Sequence, residues 1–438
     1  MIFYSTNRQS PDMSFSQAVI KGLPQDKGLF FPKQIPVLPA SFFEALPNLS
    51  LPEIAYEVLS PYTAPDLEVE QLKTICEEVF TFPIPLVPLQ DGIAALELFH
   101  GPTCAFKDVG ARFMSRCLQA FSKSGSPVTV LVATSGDTGS AVANGFLGVA
   151  NIEVVILYPE GGVSDIQEMQ FTTLGQNITA IAVRGTFDDC QSLVKRAFSD
   201  EELSKEMQLS SANSINVARW LPQMVYYFHA WGQWKRQNPD ATDITFAVPS
   251  GNFGNLAAGL LARQMGLPIA RFVAATNRNK IVPEYLESGV YTPAPSVATI
   301  ANAMDVGAPN NFPRILELFG NDYDSLLQVV KGFWTEDEPV REVIREVNQE
   351  QNYLMDPHGA IGYMALKKYL PEQKTAGIFL ETAHPAKFKQ TIEDIIGTKL
   401  ALPEQLQAFL NKPKQSISIN NDFSEMASVL KEQHRVKA

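Results

Sequence analysis

Hydrophobic positions along this chain follow two alternating rhythms. After about residue 95, short apolar runs bounded by glycine or proline give way to amphipathic stretches. VTVLVATS precedes GSAVANGFLG, VVILYP precedes SDIQEMQFTTLG, and ITFAVPS precedes NLAAGLLARQMG. Such runs read as strands buried on both faces, with the stretches between them as covering helices. Strand–loop–helix units in series predict an α/β fold with parallel sheets covered on both sides. From about 285 the pattern loosens, with YTPAPS as a turn-rich linker and a polar, acidic helical region after Trp334. A last strand, AGIFLETA, leads into HPAKF, and a polar tail is expected from 391 to 438.

One helix stands out by what it carries. Phe106, Val109, Phe113, Cys117 and Phe121 fall on a single helical stripe. Thr103 is a candidate cap just upstream. Lys107 then lies in the first turn, where the positive end of the helix dipole disfavours a cation.

The first 95 residues read as a helical section that ends in an extended connector. Proline clusters, PKQIPVLP and FPIPLVP, punctuate it. The core is expected over 96–390 as two α/β lobes, the smaller at about 110–225, with a looser inserted region at about 285–370. The chain has 438 residues, 45% hydrophobic and 19% charged, as in a protein with a large core. Its net charge of −12, without a basic tract, argues against nucleic acid or an acidic membrane as a partner. The opening MIFYSTNRQSPDMSF lacks the features of a secretory leader, and the longest apolar runs are too short to span a bilayer. Four cysteines without metal or redox spacing fit reduced thiols in the cytoplasm.

The candidate chemistry lies in the turns. Ser250-Gly251-Asn252-Phe253-Gly254-Asn255 joins the strand ITFAV to a helix, where free amides and the helix dipole favour an anion. Alone, such a loop is equally a plain structural turn. A second turn, Thr134-Ser135-Gly136-Asp137-Thr138-Gly139, follows VTVLVA and suits a carboxylate. Two anion pockets at strand carboxyl ends match the usual ligand site of open α/β sheets. The chain has no G-x-G-x-x-G, Gly-Lys, H-E-x-x-H or G-x-S-x-G, and its Asp-Thr-Gly has no second copy. A lysine that attacks an aldehyde must be neutral, which burial and a helix amino end both favour. An imine-forming lysine, a phosphate cradle and a carboxylate pocket are the parts needed for pyridoxal 5′-phosphate and an amino acid.

Seven segments together carry a resemblance. They are HGPT-x-AFKD-x-G at His100–Gly110, SGDTGSA at Ser135–Ala141, SANSIN-x-x-R at Ser211–Arg219, PSGNFGN at Pro249–Asn255, TAHPAKF at Thr382–Phe388, the opening SFSQAVIKGLPQDKGLFFP, and NAMDVGAPNNFPR at Asn302–Arg314. With these, the chain resembles the longer microbial form of the threonine synthase family from Phe15 to about Pro403. The resemblance implies a fold-type II pyridoxal-phosphate enzyme, a lyase converting O-phospho-L-homoserine and water to L-threonine and phosphate.

It further implies that Lys107 forms the Schiff base with the cofactor and later moves protons. Gly251, Asn252, Phe253, Gly254 and Asn255 would cradle the cofactor phosphate, and Thr382 would meet the pyridine nitrogen. Asp137 would face the ring oxygen, where many relatives in the wider fold have asparagine. An aspartate donates there only when protonated, so a raised pKa is expected. Thr134, Ser135 and Thr138 would meet the substrate carboxylate or phosphate, and Asn213, Ser214 and Arg219 the substrate phosphate. His100, His358 and His384 stay outside the expected catalytic set. The alternatives are a serine or threonine dehydratase of the same fold, which needs no phosphate clamp, and a non-catalytic cofactor-binding relative. A monomer or homodimer is expected.

Overall fold

In the computed structural model, which describes residues 1–122, 127–239, 243–373 and 376–437, the alternation resolves into three sheets. β1 (Ile2–Ser5), β2 (Met13–Ser14) and β3 (Phe30–Pro32) form a small antiparallel sheet with β1 central. β4 (Leu86–Pro88) and β5 (Ile93–Glu97) begin a larger sheet that the chain leaves and later rejoins. β6 (Val128–Ala133), β7 (Ile152–Pro159), β8 (Ile178–Arg184) and β9 (Gln208–Ser211) build a separate parallel sheet. β10 (Ile244–Pro249), β11 (Arg271–Thr276), β12 (Val330–Trp334) and β13 (Ala376–Glu381) complete the larger one in the order β12-β11-β10-β13-β5-β4. Only β4 runs antiparallel there. Every residue of β6 and of β10 is buried, which is why both read as unbroken apolar runs.

Two expectations are corrected. The amino-terminal section does contain helices, Phe15–Lys21, Ala40–Ala45, Leu51–Thr63 and Val69–Val79, but also the β1–β3 sheet. Those strands are two to four residues long, too short to show a period. The FPIPLVP connector ends in β4, an edge strand where Pro88 is tolerated.

The segment expected as a polar tail also has structure. β14 (Ile417–Asn420) pairs parallel with β8, giving the smaller sheet the order β14-β8-β7-β6-β9. The helix Phe423–Lys437 follows it, burying Phe423, Met426 and Leu430 beside Cys190 and Leu193. An edge strand needs only one apolar inward residue, here Ile419, so its sequence looks polar. All four cysteines are free and buried. No helix among the described residues is long and apolar enough to cross a membrane.

Candidate active site

Loops at the carboxyl ends of β6, β9, β10 and β13 and the start of the Lys107–Phe121 helix converge on one cavity. Lys107 is the first residue of its helix. Thr103 does not cap it. Instead, the Thr103 amide and hydroxyl both donate to Asp108 in the first turn, and that carboxylate suits the positive helix end. The approach to Lys107 is fixed from two further sides. The Phe106 amide donates to the Thr382 carbonyl at 2.9 Å, and the Tyr226 hydroxyl donates to the Phe106 carbonyl. Lys107 faces a cavity that itself lies inside the protein, and burial brings its amine down to about 8. Lys387 and Arg219 push the same way, and only Asp137 opposes them.

The loop after β10 has the form of an anion cradle. The helix Gly254–Gln264 starts behind Phe253, which adopts φ 60° and offers no side-chain cap. Gly251 is required by close approach, because a Cβ there would lie 2.5 Å from the Ala303 carbonyl oxygen. The amides from Gly251 to Asn255 donate to no acceptor among the described residues. Asn252 is held from behind: its carbonyl accepts from the Asn311 amide and its side-chain oxygen from Asn310. The Asn255 side-chain oxygen accepts from the Tyr227 hydroxyl at 2.7 Å, while its buried Nδ2 has no partner.

Lys107, Thr138, Ser214, Arg219, Gly251 to Asn255 and Thr382 all line the cavity, whereas Thr134, Ser135, Asp137 and Asn213 are not among its lining residues. The Thr134 hydroxyl is engaged within its own turn, accepting from the amides of Gly136 and Gly139 at 2.9 and 2.8 Å. Ser135 and Thr138 are the half-buried hydroxyls of that turn. The Asn213 side-chain amide donates to the Ala133 carbonyl at 3.3 Å.

Asp137 corrects the expectation of a raised pKa. Burial does push its carboxyl up, but the Lys387 ammonium at 2.6 Å, the charge of Lys107 and a hydrogen bond from Gln167 outweigh that and hold it well below the usual carboxylate range. Asp137 is therefore an anion, and cannot donate a hydrogen bond to a ring oxygen.

Gly136 makes this arrangement possible. Its φ is 134°, and a Cβ would sit 2.4 Å from Gln167 Cδ. Gly136→Ala should therefore displace Gln167 from Asp137 and lower turnover by about 10²-fold. It should also cost about 1–3 kcal/mol of stability. Steady-state rates and denaturant unfolding check both figures.

Arg219 lies in the short helix Val217–Trp220. It is 2% exposed, its Nη1 donates to the Ala212 carbonyl, and its Nε has no partner. No carboxylate among the described residues pairs with it. Burial lowers the guanidinium to about 10, so it remains charged at neutral pH. The cap of the short helix Val217–Trp220 is Asn216, whose side chain also donates to the Val19 carbonyl at 2.9 Å. Arg314, fully buried, donates to the carbonyls of Phe30, Ser214 and Ile215. The amino-terminal section thus supports this segment directly.

Sequence reasoning left several of these residues without a role. Asn310, Asn311, Arg314 and Lys387 all sit inside recognised motifs, so the motif was the available signal. Gln167 had none. His358 reaches the cavity, its Nδ1 against Asp356 and its Nε2 accepting from the Ala303 amide at 3.2 Å. His100 pairs with Glu97 at 2.6 Å, and His384 accepts from the Ala386 amide.

Unpartnered buried donors on Arg219 and Asn255, free amides from Gly251 to Asn255 and a desolvated lysine fit a phosphorylated aldehyde cofactor. Comparison with known proteins agrees. The family described as "Pyridoxal-phosphate dependent enzyme" matches residues 82–380, "Threonine synthase N terminus" matches 2–80 and "Threonine synthase, C-terminal" matches 359–430. The threonine synthase of Haemophilus influenzae is 47% identical over 98% of this chain and 99% of its own length.

The chain belongs to the threonine synthase family.

Solved threonine synthases superpose closely on it. The Escherichia coli structure gives a TM-score of 0.92 at 43% identity, covering 99% of this chain and 100% of that one. A pyridoxal-phosphate-bound threonine synthase from Brucella melitensis gives 0.92 at 33% identity, with coverage of 99% and 100%. The threonine synthase fold and cofactor class are therefore those of this chain: a pyridoxal-phosphate-dependent α/β lyase of threonine biosynthesis.

Proposed function

We propose that the chain converts O-phospho-L-homoserine and water to L-threonine and phosphate, with Lys107 as its proton-moving base. The reading rests on one observation above all: a buried, unpaired guanidinium, Arg219, shares a cavity with a second anion cradle and a desolvated lysine. One anion site serves a cofactor phosphate, and the other is then available to a substrate phosphate.

Across the reaction Cγ exchanges phosphate for hydrogen, and Cβ exchanges hydrogen for hydroxyl. Bound pyridoxal 5′-phosphate supplies an electron sink for negative charge developing at the substrate carbons. Lys107 serves as covalent anchor and, once displaced by substrate, as a base near neutrality that takes and returns protons at Cα. Gly251 to Asn255 would hold the cofactor phosphate with their free amides, and Thr382 would offer a hydroxyl to the pyridine nitrogen, which would avoid fixing a full positive charge there. Arg219 and Ser214, together with Asn213, stabilise the phosphate leaving Cγ. Ser135 and Thr138 bind the substrate carboxylate, and Thr134 holds their turn in shape. Asp137 acts beside the cofactor as an oriented anion. In this reading the chain works in the cytoplasm, as a monomer or homodimer, without nucleic acid or membrane.

Incubation with phosphohomoserine should release phosphate and threonine in equal amounts. Production of a keto acid and ammonia from serine or threonine, without phosphate release from phosphohomoserine, would favour the dehydratase instead. A bound cofactor without turnover of either kind would indicate a non-catalytic relative.

A further inference from the structure

Lys387 belongs to no step above, yet its charge is fully enclosed beside the site. It lies in the turn Pro385–Phe388 with no exposed surface. Its ammonium meets Asp137 Oδ1 at 2.6 Å and donates to the Thr103 carbonyl at 3.0 Å. Gln167 Nε2 donates to the same Asp137 oxygen at 2.9 Å. One pair thereby joins the loop after β13, the turn after β6 and the strand of chain leading into Lys107.

Burying such a pair is expensive, and a pair of apolar residues would often fold as well. Its presence beside a reactive amine calls for a reason in charge. Three charged groups act on Lys107: Asp137 stabilises its ammonium, while Lys387 and Arg219 oppose it. The remaining titratable neighbours have partners of their own. Asp108 is bonded to Thr103, Tyr226 to the Phe106 carbonyl, His358 to Asp356 and His384 to the Ala386 amide, while burial pushes the Cys104 thiol up to about 12. An Asp137 carboxylate without Lys387 would turn its full charge toward the Lys107 amine.

We propose that Lys387 is a positioning residue that engages Asp137 as its own counter-ion and so leaves Lys107 without one, ready as a free amine. This deepens the reading of Lys107 as anchor and base, and rests on it. The pair also explains why an aspartate serves at this position: its charge is used within the protein.

The test is the pH dependence of Lys107 labelling by trace acetic anhydride in the full chain before cofactor is added, read by peptide mass spectrometry. In the unaltered protein the midpoint should lie near about 8. Lys387→Met should raise it by about 1 pH unit or more. Asp137→Asn should lower it, since only cations then remain beside Lys107. Lys387→Arg should keep it near the starting value. If Lys387→Met alone fails to fold, the double variant Lys387→Met/Asp137→Asn is compared with Asp137→Asn, and removing the cation must again raise the midpoint. In the loaded enzyme, the pH midpoint of the cofactor's visible band should move in the same directions. An unchanged Lys107 midpoint in folded Lys387→Met, or no difference between the double variant and Asp137→Asn, would make Lys387 a structural staple and overturn the proposal. Labelling needs no substrate, so its failure is separable from failure to release phosphate.

Discussion

Lys107→Ala should lower turnover of phosphohomoserine by about 10⁴-fold or more, because in the proposed mechanism one residue supplies both the covalent anchor and the proton-moving base. Binding of pyridoxal phosphate should weaken but persist, since the Gly251–Asn255 cradle and Thr382 are separate from the lysine. The same substitution should alter the pH dependence of folding in the cofactor-free chain. The folded amine titrates near about 8, against about 10.4 for an ordinary lysine. Between these values the unfolded chain holds a proton that the folded chain lacks, so stability rises with pH across that window. Below about pH 8 both states hold the proton, and the folded state bears the full cost of the buried charge. Lys107→Ala should remove this rise, as urea unfolding from pH 7 to 10.5 would show. A variant with near-normal rates would contradict the role of Lys107, and an unchanged stability profile would contradict its desolvation.

Arg219→Ala should cost on the order of 10²-fold or more in kcat/KM for phosphohomoserine, the effect expected when a preorganised donor to a leaving anion is removed. The argument is electrostatic. The guanidinium is almost completely buried and has no ion-pair partner among the described residues, so it already bears the desolvation cost that an arriving phosphate would relieve. Arg219→Lys should recover only part of the rate, because an ammonium keeps the charge but loses the planar fork. Cofactor affinity should change much less than substrate affinity, which separates this site from the Gly251–Asn255 cradle. Equal loss of both affinities, in a chain whose unfolding is otherwise normal, would mean that Arg219 supports the fold rather than the substrate.

What could be read from the sequence was what is contiguous. The two turns, and Lys107 at a helix start, each occupy a few adjacent residues, so their chemistry shows without knowledge of the fold. β6, β7, β10 and β13 were legible because burial on both faces makes them predominantly apolar. β9 and β12 were not: QLSS is polar but for its leucine, and VKGFW mixes a lysine and a glycine into a strand that is largely half-buried. β14 escaped for the same reason. The protonation of Asp137 was misjudged because its partner lies 250 positions away in the chain, and only folding brings Lys387 to 2.6 Å. The resemblance implied a substrate contact for Thr134, and the fold shows its hydroxyl also accepting from two amides of its own turn. The support of Ser214 and Asn216 by Phe30, Val19 and Arg314 is tertiary and left no local trace.

The central claim is that Lys107, which lines the cavity, and not the fully buried Lys387 is the amine that bonds to the cofactor. Borohydride treatment of the chain with pyridoxal phosphate, followed by proteolysis and mass spectrometry, tests it directly. A pyridoxyl adduct on the peptide containing Lys107 is the expected result; an adduct at Lys387 or elsewhere, or none at all, would contradict it.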